Sequence, residues 1–272
     1  MEPVSKRVEI IPVKRRAMIL EWFRKHSAAS IQELSESIGA SASTIRRDLE
    51  YLTDAGYLER THGGAVLATP TRATFELDSS TNAQLFTLQK RAIGRLAATR
   101  LSSKDSVIFD SSSTVLEAAR AAVERRVELT ALTNSLDIAS LCRSAPAIRV
   151  IVPGGSLRVG SQTLVGDPGE TFLKTVHADL CFVGAQAITG NQLSDAAIEI
   201  ASMKRIMLSS ARRTILLIDS SKFHAPAFCT FCEVQRIDEI ITDSGVTPEN
   251  LASLAAFGVK VTVAEVDPSE AG

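Results

Sequence analysis

The 272-residue sequence predicts an α/β protein in two parts, a small, mainly helical module followed by a larger domain built on a parallel sheet. Three observations predict it. Residues 14–55 carry apolar side chains at three- and four-residue spacing. From Val107 onward, short apolar runs alternate with Ala-rich helical stretches. Between the two, Ala68-Thr69-Pro70-Thr71-Arg72-Ala73-Thr74 is small, polar and broken by proline. The length agrees, since domains average roughly 150 residues. The expected boundaries are a tail over 1–13, a first module over 14–68, a linker over 69–88, a second domain over 89–266 and a tail over 267–272.

Composition removes several classes. At 45% hydrophobic, the chain is too apolar to be disordered. Lys+Arg 30 against Asp+Glu 31 argues against a wholly basic nucleic-acid coat protein. Net charge averages over faces, however, and the first 70 residues sum to +1 against −2 for the rest. No run approaches the ~18 apolar residues of a membrane helix, and no apolar signal core follows Lys6 and Arg7. A cytoplasmic protein without membrane partner is expected. Four cysteines are too few for a disulfide framework in a chain this long, so reduced thiols are expected.

The first helix is expected from about Lys14 to His26, with Ile19 and Phe23 on its inner face, Lys14, Arg15 and Arg16 crowding its start, and Trp22 as a packing residue. Ser30 and Glu33 form a capping box that opens the second helix; Ile31, Leu34 and Ile38 make its buried stripe, and Gly39 ends it. A third helix begins around 41–43. On a 100° wheel, Ile45, Leu49 and Leu52 share one side, and Ser43, Arg46, Arg47, Glu50 and Tyr51 the other. Gly56 stops this helix, after which residues 57–67 read as strand, Gly63-Gly64 turn and strand.

A short helix, a tight glycine turn, a helix with a Ser/Thr/Arg face and a Gly-Gly hairpin together spell a winged helix-turn-helix. Its third helix would enter the major groove, where an arginine fork can bond guanine or grip a phosphate. Arg-Arg alone is more often a solvated helix face; the ordered context favours double-stranded DNA as partner. The candidate DNA contacts are Ser43, Thr44, Arg46, Arg47, Arg60, His62, Gly63 and Gly64, with Lys14, Arg15 and Arg16 also expected near DNA.

Ser43-Thr44-Ile45-Arg46-Arg47-Asp48-Leu49, followed by Leu52, Gly56, Leu58, Arg60 and His62-Gly63-Gly64-Ala65, resembles the signature of the DeoR family of bacterial transcriptional regulators. The match runs from the recognition helix into its wing across about twenty-five residues without a gap.

In the second domain, three strand-loop-helix units are expected in succession. The strands are Val107–Phe109, Leu129–Leu132 and Arg149–Val152; the helices are Lys90–Leu101, Thr114–Val123 and Leu136–Cys142. Later strands are expected at Leu180–Val183, Thr214–Ile218, Ile237–Ile241 and Val259–Val263, with helices at Ala197–Ser209 and Thr247–Phe257. Ligands of such folds sit at the carboxyl ends of the strands. Polar loops fall there: Asp110 to Thr114, Thr133-Asn134-Ser135, Pro153 to Ser156 and Asp219 to Lys222. Each alone is ordinary cap chemistry; four at one edge suit a small phosphorylated, hydroxyl-rich ligand. Lys222 would supply the counter-charge or be a surface lysine. Asp195 would bond a sugar hydroxyl or cap the next helix.

The family resemblance extends over this domain through Lys90, the Asp110 loop, Thr133-Asn134-Ser135-Leu136, Gly154-Gly155, Leu164-Val165-Gly166, Asp179 with Phe182 to Ala185, Lys204-Arg205 and Asp219 to Phe223. It implies a sugar-phosphate-binding domain similar in fold to ribose-5-phosphate isomerase. Effector contacts are carried onto Asp110, Ser113, Thr114, Thr133, Asn134, Gly154, Gly155 and Lys222. The chain departs from the family at Ser112, usually glycine, and over Asn191 to Ala197, which puts ligand identity in doubt.

The implied function is a repressor of a carbohydrate operon, released by a sugar phosphate and working as a homodimer or homotetramer, with no catalytic residue, cofactor or metal. A sugar-phosphate isomerase-like enzyme is the competing class, since Asp110, Asp195, Asp219, Lys222 and His224 could serve catalysis. A winged helix used for protein contacts is the third. Cys229 and Cys232 have metal-site spacing with His224 near, but a second pair is missing and Phe228 with Phe231 suggests a buried strand.

Overall fold

The computed structural model describes residues 10–26, 28–54, 57–67, 74 and 79–267. The chain divides into two compact units, residues 1–72 with 80–85, and residues 73–79 with 86–272. The expected seam at 68–74, apart from Thr74, the Gly56 stop and most of both tails lie outside the described residues.

In the first unit, α1 (Pro12–Lys25) starts two residues before its expected position, because Pro12 sits in the first turn, where a missing N–H costs nothing. A three-residue strand, β1 (Ala28–Ser30), precedes α2 (Ile31–Ile38). The capping box is present: Glu33 N donates to Ser30 Oγ at 3.2 Å, and Ser30 N to Glu33 Oε2 at 2.8 Å. Gly39 takes the left-handed conformation that ends α2. Next come α3 (Ala42–Asp54), β2 (Leu58–Thr61) and β3 (Gly64–Leu67). β3 lies between β1 and β2 in an antiparallel sheet. Ile19, Phe23, Leu34, Ile45, Leu49 and Leu52 form the core beneath. Within residues 69–88, read above as linker, Ser79–Gln84 form helix α4.

The second unit runs α5 (Thr87–Ala98), β4 (Ser106–Phe109), α6 (Ser113–Glu124), β5 (Leu129–Thr133), α7 (Leu136–Arg143), β6 (Ile148–Ile151), β7 (Ser156–Leu157), β8 (Leu164–Val165), α8 (Gly169–Leu173), β9 (Ala178–Val183), β10 (Ala187–Thr189), β11 (Gln192–Asp195), α9 (Ile198–Ser209), β12 (Ala211–Leu217), a 3-10 turn at Ser220–Lys222, β13 (Cys229–Glu233), β14 (Glu239–Asp243), α10 (Pro248–Ala256) and β15 (Lys260–Ala264). Seven strands make one parallel sheet in the order β15-β14-β12-β9-β4-β5-β6. Both faces are covered, so the central strands read as unbroken apolar runs. Val107, Phe109, Leu180 and Phe182 pack in one cluster with α5 and α6, while Ile108, Cys181 and Val183 face the opposite cluster with α9. A smaller antiparallel sheet, β10-β11-β13, and the β7-β8 hairpin complete the unit.

Phe228 is exposed, contrary to the buried strand expected around Cys229 and Cys232. The apolar side of β13 is carried by Phe231 instead, because side chains alternate along a strand. Among the described residues, no group of His, Cys, Asp or Glu could hold a metal ion, and no helix is long and apolar enough to cross a membrane.

Candidate nucleic-acid interface and effector site

The outward side of α3 carries Ser43, Arg46, Arg47, Glu50 and Tyr51, all exposed. Ser41 opens the helix: its Oγ accepts from Thr44 N at 3.2 Å and lies 2.9 Å from the hydroxyls of both Ser43 and Thr44. The hairpin closes through His62 and Gly63, with Thr61 paired to Gly64. Arg60 Nη2 reaches Arg46 O at 3.4 Å, so wing and third helix meet. His62 and Gly63 are exposed at the turn, and Gly63 has φ +89°.

Three residues expected at or near DNA have structural roles in the first unit. Gly64 is buried in the sheet, where a Cβ would stand 2.0 Å from Ala29 O. Its lack of a side chain lets β1 approach β3, a structural reason for glycine at this position. Arg15 and Arg16 are occupied as well. Asp48, 1% exposed, accepts from Arg15 Nε at 2.5 Å, Arg15 Nη2 at 3.3 Å and Arg16 Nε at 3.0 Å. Arg15 also donates to Ile10 O at 2.7 Å. A buried carboxylate needs such partners, and Asp48 lies on the stripe of Ile45, Leu49 and Leu52, a signal available in the sequence. Trp22 packs against His26, their rings 4.5 Å apart.

In the second unit the strand order reverses at β4, between β5 and β9, the topological switch where such sheets bind ligands. Parallel strands put all four polar loops at the same edge. Asp110 follows β4, and Thr133 ends and Asn134 follows the neighbouring β5, with Phe109 paired to Thr133. Ser113 and Thr114 begin α6, whose first N–H groups have no intrahelical partner. Ser112, the departure from the family pattern, is the N-cap: its Oγ accepts from Val115 N at 3.2 Å. Its side chain packs where Gly184 leaves room, since a Cβ there would stand 2.4 Å from Ser112 Oγ.

Thr133 Oγ1 accepts from Ser135 N at 3.1 Å, and Ser135 caps α7. Asn134 Nδ2 donates to Leu164 O at 2.9 Å, which ties β8 to this loop. Asn134 Oδ1 is buried and accepts no hydrogen bond among the described residues. Gly154 and Gly155 have φ +89° and +124°, and a Cβ on Gly155 would stand 2.7 Å from Val165 O. Their glycine character is required by the turn and by the close approach to β8.

Asp110 is 1% exposed. Its Oδ2 accepts from Gly184 N at 2.7 Å and its Oδ1 from Ser112 N. The cation beside it is Lys204, not Lys222. Lys204 Nζ lies 2.6 Å from Asp195 Oδ2, 2.9 Å from Gly184 O and 3.6 Å from Asp110 Oδ2. Burial lifts the Asp110 carboxyl above its ordinary value despite Lys204. Burial would lower the ammonium, but Asp195 and Asp110 outweigh it and leave Lys204 raised. Asp195 therefore neither caps α9, whose N-cap is Ala197, nor stands open; its Oδ1 accepts from Ala196 N at 3.0 Å. The sequence reading names Lys204 only within the family resemblance and gives it no role, although it falls on the buried stripe of Ile200, Ala201, Met203 and Met207.

Lys222 is buried in the 3-10 turn after β12, two strands from β4. Asp243 holds Ser220, the first residue of that turn, accepting from Ser220 N at 2.7 Å and Ser220 Oγ at 2.9 Å. A separate cleft of about 190 Å³ lies between Thr189, Phe223, His224, Asn250 and Ser253, and none of the expected effector residues lines it.

A winged helix with an arginine-bearing third helix, followed by a doubly covered parallel sheet with a polar carboxyl edge, defines a DNA-binding regulator with a sensor domain. Residues 15–71 match the DeoR-like helix-turn-helix domain, and residues 86–244 match the DeoR C terminal sensor domain. The chain is 32% identical over 249 residues to the putative aga operon transcriptional repressor of Escherichia coli O157:H7, covering 91% of this chain and 92% of that protein. It is 27% identical over 245 residues to the lactose phosphotransferase system repressor of Lactococcus lactis subsp. lactis, covering 90% and 96%. Among solved structures, ribose 5-phosphate isomerase A from Methanocaldococcus jannaschii is similar with a TM-score of 0.38 and 15% identity, over 51% of this chain and about half, 54%, of that one. The chain belongs to the DeoR family of transcriptional regulators.

Proposed function

We propose that this regulator represses a carbohydrate catabolic operon and is released from its operator by a phosphorylated sugar bound in the α/β unit. Ser43, Thr44, Arg46 and Arg47 on α3, with Arg60, His62 and Gly63 on the wing, face double-stranded DNA. Ser113, Thr114, Thr133 and Asn134 face the effector, Gly154 and Gly155 on one side of β4 and Lys222 on the other are outer contacts, and Asp110 and Asp195 position the loops through Lys204. The protein acts in the cytoplasm as a homodimer or homotetramer, which sets two recognition helices against paired half-sites. The α/β unit senses its ligand and does not convert it.

The observation that carries the effector reading is the unpartnered Asn134 Oδ1, in the loop after β5, the strand next to β4, whose own loop opens α6. A buried acceptor left unsatisfied costs ~1 to 3 kcal/mol, which a ligand hydroxyl would relieve. The N-terminus of a twelve-residue helix favours a phosphate. The relative named for a lactose phosphotransferase system supports a carbohydrate operon.

A thermal-shift panel of pentose, hexose and amino-sugar phosphates, each with its unphosphorylated counterpart, tests this. A matching phosphate at 100 times its dissociation constant should stabilise by ~2.7 kcal/mol, and its counterpart should not. No shift from any member at millimolar concentration would sink the effector reading. Turnover of a panel member by purified protein would favour the isomerase-like alternative.

A further inference from the structure

Tyr51 lies on the same side of α3 as Ser43 and Arg47, each four residues apart, and is 41% exposed. It is the one large aromatic of that side. Its ring is not left to swing: the Arg16 guanidinium sits over it, Cζ 3.6 Å from the ring centroid. Arg16 is fixed in turn, because its Nε donates to Asp48 Oδ1 at 3.0 Å, and Asp48 is buried and shared with Arg15. A chain of contacts thus runs from the buried carboxylate through Arg16 to an exposed phenol.

Helix-turn-helix readers contact base edges with the N-terminal residues of the recognition helix, and the later turns run beside the backbone. Tyr51 is the tenth residue of a helix that starts at Ala42, two turns beyond Ser43. A phenol hydroxyl held there can donate to a phosphate oxygen, a contact that fixes register without reading sequence.

We propose that Tyr51 is a further operator contact, donating its hydroxyl to a backbone phosphate, and that Arg16, locked on Asp48, is the positioning residue that holds the ring for that contact. Stacking keeps the ring in one rotamer before binding, so less side-chain freedom is lost on the DNA. The arrangement also gives the Asp48 clamp a task besides packing α1 on α3. It rests on the reading of α3 as the operator-facing helix, which Arg47→Ala tests separately.

The test uses the full chain, the duplex it enriches from a random-sequence library, and an unrelated duplex of equal length. Tyr51→Phe keeps the ring and its stack and removes only the hydroxyl. Affinity should fall about ten- to 150-fold on both duplexes, the range of a hydrogen bond to a charged acceptor. The salt dependence should not change, because a neutral donor releases no counterion. Arg16→Lys keeps the charge but loses the planar stack; it should weaken binding in the native background and add nothing in the Tyr51→Phe background. Binding by Tyr51→Phe within two-fold of the native chain overturns the contact. A loss confined to the enriched duplex overturns the phosphate assignment, and an equal Arg16→Lys loss in both backgrounds overturns the positioning role. If Arg47→Ala also leaves binding unchanged, the reading of α3 fails; if Arg47→Ala alone weakens it, only Tyr51 is wrongly assigned.

Discussion

Replacing Lys204 with methionine tests the buried cluster at the switch point. The ammonium sits 2.6 Å from Asp195 Oδ2 and 3.6 Å from Asp110 Oδ2, with all three side chains under a tenth exposed. At an effective dielectric of about 20, these separations give gross attractions of about 6 and about 5 kcal/mol. Desolvating three charges offsets most of that. What the substitution exposes is the penalty of two buried carboxylates without their cation, ~3 to 5 kcal/mol for a broken buried pair. The loss should depend on pH with a definite sign. The Asp110 carboxyl is already raised by burial in the folded chain, and without the ammonium it rises further. A group raised on folding contributes stability that is complete below its unfolded value, ~3.9 for aspartate, and lost as pH climbs through the folded value. The deficit of Lys204→Met should therefore shrink between pH 7.5 and pH 5, by ~1.4 kcal/mol for each unit of added shift that titrates in that window. Urea unfolding followed by far-ultraviolet circular dichroism at the two pH values measures it. A deficit below ~1 kcal/mol would show that the cluster does not hold the switch point together. An equal deficit at both pH values would refute the protonation argument.

Gly64→Ala should cost the upper end of the ~1 to 3 kcal/mol of overpacking, because its Cβ would meet Ala29 O at 2.0 Å. Trp22, the sole tryptophan, reports that loss by fluorescence during urea unfolding of the first unit, and a midpoint equal to the native one would contradict the close packing of β1 on β3. Ser30→Ala, read by the same signal, should cost about 1 kcal/mol through loss of the capping box. Burial would raise the Glu239 carboxyl, but bonds from Arg100, Thr262 and Lys260 outweigh it and hold it at about 2. A depressed carboxylate stabilises above its unfolded value, ~4.3, and that contribution drains as pH falls toward about 2. Calorimetric midpoints of the native chain should drop across that window, and Glu239→Gln should flatten the drop; an unchanged acid slope in Glu239→Gln would count against it.

What the sequence made legible was local. The Ser30 and Glu33 box, the Gly39 stop and the stripe of Ile45, Leu49 and Leu52 are decided within a few residues, and the structure reproduces them. The parallel strands were legible because burial on both faces leaves unbroken apolar runs such as Val107 to Phe109. β1 was not, since Ala28-Ala29-Ser30 has no alternation and exists only through pairing with β3. The β10-β11-β13 sheet was not assembled from sequence: β10 and β11 are a hairpin of three- and four-residue strands, and β13 finds β11 only across the α9–β12 stretch. In the candidate site, the loops were found because they follow strands. The partners of their charges were not, because Asp48 meets Arg15 at 33 residues' separation and Asp110 meets Lys204 only in the folded unit. Both Asp48 and Lys204 sit on apolar helix stripes, and a charge on such a stripe marks a buried pair that sequence can flag without naming the partner.

The most direct test of the account is the affinity of the full chain for its enriched duplex, measured by fluorescence anisotropy with and without a saturating sugar phosphate taken from the thermal-shift panel. The account predicts weaker DNA binding in the presence of the effector, by ~5- to 150-fold, and effector binding weakened by the same factor when DNA is saturating. A sugar phosphate that stabilises the protein yet leaves the affinity for the duplex unchanged would contradict it.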